Sequence, residues 1–510
     1  MDSRSDSSSS AAGVSNPVGS SDMRTWAQAR RTEFDEYRLD ALIQEVRRLD
    51  QRRSETDLRD RALLKSRVLT IEALAMSGRI AEAVEETERW LHVYGPHPRF
   101  LVPKARLQFQ RGLHEACIQT AELALIGLEP ADEPSGDFFG LCALKADSLC
   151  ALGRRAEARE FLVRMLERAP AWRENGLAAL RRTLETKEDL AWFFTYCAPF
   201  FSGRSSLSSS ALLQYSTAAR DFGQMDHALM AIRRRFINGV AQPPPALLEP
   251  EAPRSNWMPL ARVALLTLRD EMKEAGEEFF LISGTLLGCV REGRILGHDK
   301  DIDVGVAATV NFEKLIAQFR TSGRFVVMLN IPGRKLRVRH YNGVMIDIFV
   351  HFEQDGRVHH LGHRSGWWNS PFELTDAEFL GEVFRAPRDT DRYLTENYGD
   401  WRTPKTAFDT FLDTPNMYVT NPEDMVWYYY KRLYDYYSVR KLEMSTRIWE
   451  ALRQTGAATA EDKWAFYRLN KHLSQVASAA TPPAPITAPA AVQHASGGWV
   501  AGLRQVLRRD

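Results

Sequence analysis

Cysteine is scarce: the 510 residues hold five, Cys117, Cys142, Cys150, Cys197 and Cys289, with no CxxC spacing among them. An odd number without paired spacing excludes a disulfide scaffold and a thiolate metal site, and reads as reduced residues of a cytosolic protein. Long apolar runs are missing as well. No stretch approaches the roughly eighteen residues of a membrane span, so any membrane contact is peripheral, at the inner face or through a partner. Met1 to Asp22 is serine-rich without an apolar core and is expected to be neither signal peptide nor anchor. An excess of one charge is also absent. Lys+Arg 67 against Asp+Glu 66 argues against a general nucleic-acid binder. The length leaves room for two or three domains.

What the chain does have is concentrated between Phe279 and Val306, a glycine-rich run ending in Asp299-Lys300-Asp301-Ile302-Asp303. In a strand, residues two apart share a face, so Asp301 and Asp303 present two carboxylates together with Ile302 packed behind. Such charges repel one another and are costly to bury, which makes a cation their natural partner. Oxygen ligands without sulfur or imidazole suit Mg²⁺ or Mn²⁺, the ions that accompany phosphates. A third acid, Asp347, interrupts the apolar run Val344 to Val350, which reads as a buried strand. Before it, Arg334 to Tyr341 alternates polar and apolar residues, and Asn342-Gly343 signals a hairpin. Neighbouring strands lie about 4.8 Å apart, so Asp347 comes within reach of a metal on Asp301 and Asp303 if the strands are adjacent. The alternative is that Asp301 and Asp303 cap a turn while Asp347 pairs with Arg337 or Arg339.

Gly284-Thr285-Leu286-Leu287-Gly288, then Arg291, then Asp299-x-Asp301-x-Asp303 resembles the signature of the LicD/fukutin family. Asp347-Ile348-Phe349 is similar to its third acidic motif. Tyr393-Leu394 and Tyr398-Gly399-Asp400-Trp401 with Pro404 resemble its closing segment. The resemblance implies a nucleotidyltransferase fold, a small mixed sheet flanked by helices. It also implies transfer of a phospho-alcohol, such as phosphocholine or ribitol phosphate, from a CDP-linked donor to a glycan hydroxyl. Carried onto this sequence, Asp301 and Asp303 become metal ligands, and Asp347 a third ligand or the base that activates the acceptor. Ser283, Gly284 and Thr285 become the donor-phosphate loop, and Arg291 a phosphate ligand, against the alternative of a surface ion pair with Glu292. His298 and Lys300 depart from the family pattern and leave the number of metal ions open.

The N-terminal half reads differently. Ser77-Gly78-Arg79, Arg111-Gly112-Leu113, Leu152-Gly153-Arg154 and Phe222-Gly223 each follow a helical stretch and precede a small residue, Ala83, Ala116, Ala158 or Ala228. The step from Gly78 to Gly112 equals the roughly 34-residue tetratricopeptide period, and the pattern resembles degenerate repeats of that kind. An unrelated helical bundle is the alternative. The expected class is therefore α+β multidomain, with a helical repeat region followed by a mixed-sheet catalytic domain. The expected division is a disordered 1–22, repeats over 23–241, a Pro-rich linker over 242–256, a catalytic domain over 257–420, a helical extension over 421–476 and a disordered tail over 477–510. The repeats would dock a protein partner or brace the enzyme. The crowded His351, His359, His360 and His363 fit no zinc spacing and read as lining an acceptor pocket or a solvated loop with Trp367 and Trp368, the two tryptophans themselves reading as buried core or as rings that stack on a sugar. The aromatic helix from Asn421 is expected to pack on the catalytic sheet, with Lys431 or Arg432 toward donor phosphates. Two other classes stay open: a nucleotidyltransferase with a different acceptor, and a non-catalytic repeat scaffold.

Overall fold

The computed structural model describes residues 64–128, 136–241, 243–244, 257–405 and 407–479. The expectations for 1–22, the insertion around 129–135, most of the 242–256 linker and the tail beyond Ala479 lie outside those residues.

From Leu64 to Gly239 the described chain is a series of antiparallel helical hairpins. Four of their turns close in the same way. Gly78, Gly112, Gly153 and Gly223 all have positive φ, and the residue after each donates its backbone N–H to the carbonyl five back, as from Arg79 to Leu74 and from Gln224 to Ala219. This is the glycine-terminated helix stop, in which the left-handed residue satisfies carbonyls that the helix leaves open. Ala83, Ala158 and Ala228 are fully buried where the paired helices approach, whereas Ala116 is only half-buried beside the fully buried Cys117. The turn before Lys187–Cys197 lacks glycine and uses a capping box of Thr186 and Asp189 instead.

The second unit, among the described residues, is a ten-stranded mixed sheet of β1 (Phe280–Leu281), β2 (Asp301–Ala307), β3 (Phe325–Ile331), β4 (Lys335–His340), β5 (Met345–Gln354), β6 (Arg357–Leu361), β7 (Ser365–Asn369), β8 (Leu374–Phe379), β9 (Glu382–Pro387) and β10 (Met417–Val419). Their order is β10-β7-β6-β5-β2-β1-β9-β8, with β4 pairing β3 and β5. The strands that position the site are β1, β2, β4, β5 and β6. The expected hairpin is present, with β4 and β5 antiparallel across the Asn342-Gly343 turn. In β4 the apolar Leu336 and Val338 are buried, while Lys335, Arg337 and Arg339 line the other face. β2 and β5 run parallel in register, and Ile302 and Ile346 together form the buried reverse side of the acids.

The hydrophobic cores do not follow chain order. One joins the first hairpin to the sheet: Leu69, Ile71, Leu74, Ile80 and Trp90 belong to the same packed cluster as Leu265, Val304, Phe319 and Ile346. Arg324 ties the two by donating to the Gly78 carbonyl at 3.1 Å and to Glu271 at 2.8 Å. A second core joins the later hairpins to the C-terminal helices Pro422–Ser438, Leu442–Gln454 and Ala460–Ala479. The aromatic helix from Pro422 thus corrects the sequence reading. Trp427, Tyr430 and Tyr437 pack among the helical hairpins rather than on the sheet, and the Trp427 indole donates to Ser216 at 3.1 Å. The physical reason is that its aromatic stripe meets the apolar faces of the helices Ser206–Asp221 and Met225–Gly239, which remove it from water without the sheet. Lys431 and Arg432 turn to Asp435 and Asp409.

Candidate functional site: an acidic cluster on strands β2 and β5

Asp301 opens β2 and Asp303 follows on the same face, with Asp347 opposite Asp303 in the parallel register. Side chains that face one another across adjacent strands stand about 5 Å apart, so the sheet brings the three acids together. Asp299 lies just before the strand, against Gly284, where a Cβ would approach its Oδ2 to 2.6 Å. Glycine is therefore required at 284 for the carboxylate to sit there. The Asp303 N–H donates to the Thr285 hydroxyl at 3.0 Å, which fixes the loop onto the start of β2. Ser283 holds a left-handed φ of 47° at the entry to the short helix Ser283–Leu287, a conformation that non-glycine residues adopt only at a cost.

The electrostatics divide the acids. Burial, and then the neighbouring Asp301, push Asp299 up to about 7. Burial followed by Asp347 raises Asp301, and burial with the charges of Asp301, Asp347 and Asp299 drives Asp303 well above the ordinary carboxylate range. Asp347 goes the other way. Burial alone would raise it, but hydrogen bonds from Arg337 and the charge of Lys335 outweigh that and hold it low. Lys335 Nζ lies 2.6 Å from Asp347 Oδ2, Arg337 forks onto both carboxylate oxygens, and an Arg337 amine reaches to 3.6 Å from Asp301. The Arg337 pairing that was the alternative reading of Asp347 is thus present, in the same place as the acid cluster rather than instead of it.

Among the described residues no three His, Cys, Asp or Glu side chains already converge as a metal centre. The donor set nonetheless fits a hard divalent cation. Asp301, Asp303 and Asp347 are clustered carboxylates, and the repulsion that Asp347 exerts on the other two is relieved when a cation shares them.

Arg291 is committed elsewhere, to the Trp401 carbonyl at 3.2 Å and to Glu292 at 3.1 Å, while its buried Nε has no partner. It therefore joins the loop to the closing Tyr398–Trp401 segment. Tyr398 comes back to the acids: burial and the charges of Asp303 and Asp299 raise its phenol well above the usual value. His351 and His360 face each other across β5 and β6 with ring centroids 4.7 Å apart, buried among Phe349 and Trp367. Burial keeps both neutral, pulling His351 down to about 4. They read as core. Sequence reasoning missed Lys335, although the alternation over Arg334 to Tyr341 had already placed it on the face of Arg337.

The raised Asp299 has a measurable consequence. Its folded value lies above the ordinary 3.8, so its contribution to stability is full below about pH 4 and is lost as pH rises through about 7. In EDTA, Asp299→Asn should reduce the fall in urea-unfolding stability between pH 5 and pH 8 by roughly 1–2 kcal/mol after allowance for solvent screening. An unchanged difference between the two pH values would refute this assignment.

Comparison with known proteins bears on the same segment. Residues 276–389 match the family described as LicD/FKTN/FKRP, nucleotidyltransferase domain. The chain thus carries a LicD/fukutin-type nucleotidyltransferase domain, and the whole acidic cluster lies within it. Among individual proteins, the chain is similar to ribitol-5-phosphate transferase FKTN of Mus musculus, 27% identical over 158 residues, which is 29% of this chain and 34% of that protein. It is also similar to the Homo sapiens protein of the same name, 26% identical over 182 residues, 33% of this chain and 38% of that protein. The chain spans about a third of the length of these curated relatives. No described helix is long and apolar enough to cross a membrane.

Proposed function

We propose that this protein transfers a phospho-alcohol from a CDP-linked donor to a glycan hydroxyl, with Mg²⁺ or Mn²⁺ held by Asp301, Asp303 and Asp347. The observation that carries the reading is the in-register pairing of Asp303 with Asp347, beside Asp301, inside a segment matching the LicD/FKTN/FKRP family and similar to proteins named ribitol-5-phosphate transferase FKTN. A bound divalent ion would supply charge neutralisation for the donor pyrophosphate and the departing CMP. The remaining work falls to the chain. The Ser283-Gly284-Thr285 loop borders the acids and can present its backbone to donor phosphate. The acceptor hydroxyl attacks the phosphorus of the alcohol phosphate, the P–O bond to CMP breaks, and the hydroxyl proton passes to a carboxylate. Asp303 and Asp347, register partners on adjacent strands, are the two candidate carboxylates for that proton. The glycine-closed hairpins we read as degenerate tetratricopeptide-like units that dock a glycan-assembly partner, in a cytoplasmic protein that sits at most peripherally on the membrane.

The test is CMP release by the full chain from a panel of CDP-linked alcohols, with Mg²⁺ or Mn²⁺ and glycan extracts, and Asp301→Asn in parallel. Metal-dependent release from one donor, lost in the variant, is expected. No release and no donor binding would overturn the proposal, and pyrophosphate release from a nucleoside triphosphate would replace it with nucleotidyl transfer.

A further inference from the structure

Two cations converge on a single carboxylate at the centre of this site, and that arrangement is more than an ion pair requires. Asp347 is almost fully enclosed, 4% exposed, and one guanidinium would neutralise it. Lys335 nevertheless adds a second positive charge at 2.6 Å, its ammonium 4.4 Å from the centre of the Phe349 ring. Arg337 also reaches to 3.6 Å from Asp301, which with Asp303 is an acid that a divalent cation would share. Arg337 remains 35% exposed, so a solute can reach it, whereas the fork of Arg291 is spent on the Trp401 carbonyl and Glu292. The placement follows from β4 itself. Lys335 and Arg337 are two apart on one face, and Arg337 is the register partner of Asp347.

We infer that Lys335 and Arg337 are ligands for donor phosphate, and that with no anion bound they occupy the Asp347 carboxylate and keep a divalent cation from it. This rests on the proposed reaction. A pyrophosphate arriving over the cluster offers guanidinium and ammonium several anionic oxygens in exchange for one carboxylate. As the cations swing onto it, Asp347 is released to the metal. Metal and donor then load together, and the metal binds weakly in the absence of the donor.

The prediction is a pair of changes with opposite sign. Electron paramagnetic resonance titration of Mn²⁺ without nucleotide should show Arg337→Met binding the ion roughly tenfold more tightly than the unaltered chain. Calorimetric titration of CDP in EDTA should show the same variant binding roughly tenfold more weakly. Lys335→Met should move both in the same directions, and Arg337→Lys should keep most of the CDP affinity. Arg337→Met leaves a buried carboxylate short of partners, so the charge-balanced Arg337→Met/Asp347→Asn protein controls for folding. It should bind CDP weakly and show no gain for Mn²⁺. Unchanged or weaker Mn²⁺ binding in Arg337→Met, or unchanged CDP binding, overturns this inference and leaves the proposed reaction standing. An unaltered chain that binds neither CDP nor Mn²⁺ overturns both.

Discussion

Asp303→Asn is expected to lower CMP release roughly 10³-fold while making the metal-free protein more stable. Both halves follow from the same local charge. Asp303 lies beside Asp347 and two residues from Asp301, and burial together with those neighbours drives its carboxyl well above the ordinary range. An asparagine keeps the shape and removes the repulsion, so the folded state gains where the acids crowd one another. It also removes a proposed metal ligand and one of the two candidate bases, losses that typically cost 10²–10⁴ in rate. The measurement is a rate assay paired with thermal unfolding in EDTA. A variant with lower activity and a lower midpoint would mean that Asp303 serves the fold, and full activity would remove it from the chemistry. Asp301→Asn should lose activity with a smaller gain in stability, because Arg337 at 3.6 Å already offsets part of that charge.

A fragment beginning at Trp257 is expected not to fold, although the sequence places a domain boundary just before it. The mixed sheet does not own its core. Leu69, Ile71, Leu74, Ile80 and Trp90 of the first hairpin are each at most 4% exposed and pack in the cluster that holds the sheet and the helix Trp257–Glu274. Each large apolar side chain contributes about 1.5–3 kcal/mol on burial, so losing five approaches the whole stability of a typical domain, about 5–15 kcal/mol. The fragment would also expose Tyr341 and His340, which lie against Glu72 and Gly78. At its far end the helices from Pro422 would lose the hairpins they pack on, with Tyr434 seated where Gly239 leaves room for it. Circular dichroism and urea unfolding of 257–479 beside 64–479 would decide. A cooperative transition in the shorter fragment would show the sheet to be an independent domain.

The candidate site was legible in the sequence to the extent that local rules govern it. Asp301 and Asp303 share a face because any strand has a period of two, and the Asn342-Gly343 turn fixed Asp347 relative to Arg337 by hairpin geometry. The glycine turns at 78, 112, 153 and 223 were visible for the same reason. A left-handed helix stop is a property of a few consecutive residues, and it formed at each of these four glycines.

Contacts that depend on distant segments were another matter. Nothing near Asp347 in the sequence says that β2 lies on one side of β5 and β4 on the other, yet that pairing makes a lone buried acid into part of a cluster. The aromatic helix from Pro422 announced its buried face but not its partner, since any apolar surface of suitable shape removes the same area from water. Arg291 and Glu292 are neighbours in the chain, but the Trp401 carbonyl that holds Arg291 is brought there by the fold. The sequence by itself thus determined the acids, their spacing and the hairpin stops, because those are set by backbone period and turn chemistry. Tertiary structure alone decided that the first hairpin completes the core of the sheet and that one lysine and one arginine share Asp347, because burial is non-directional and only the assembled surfaces select its partners.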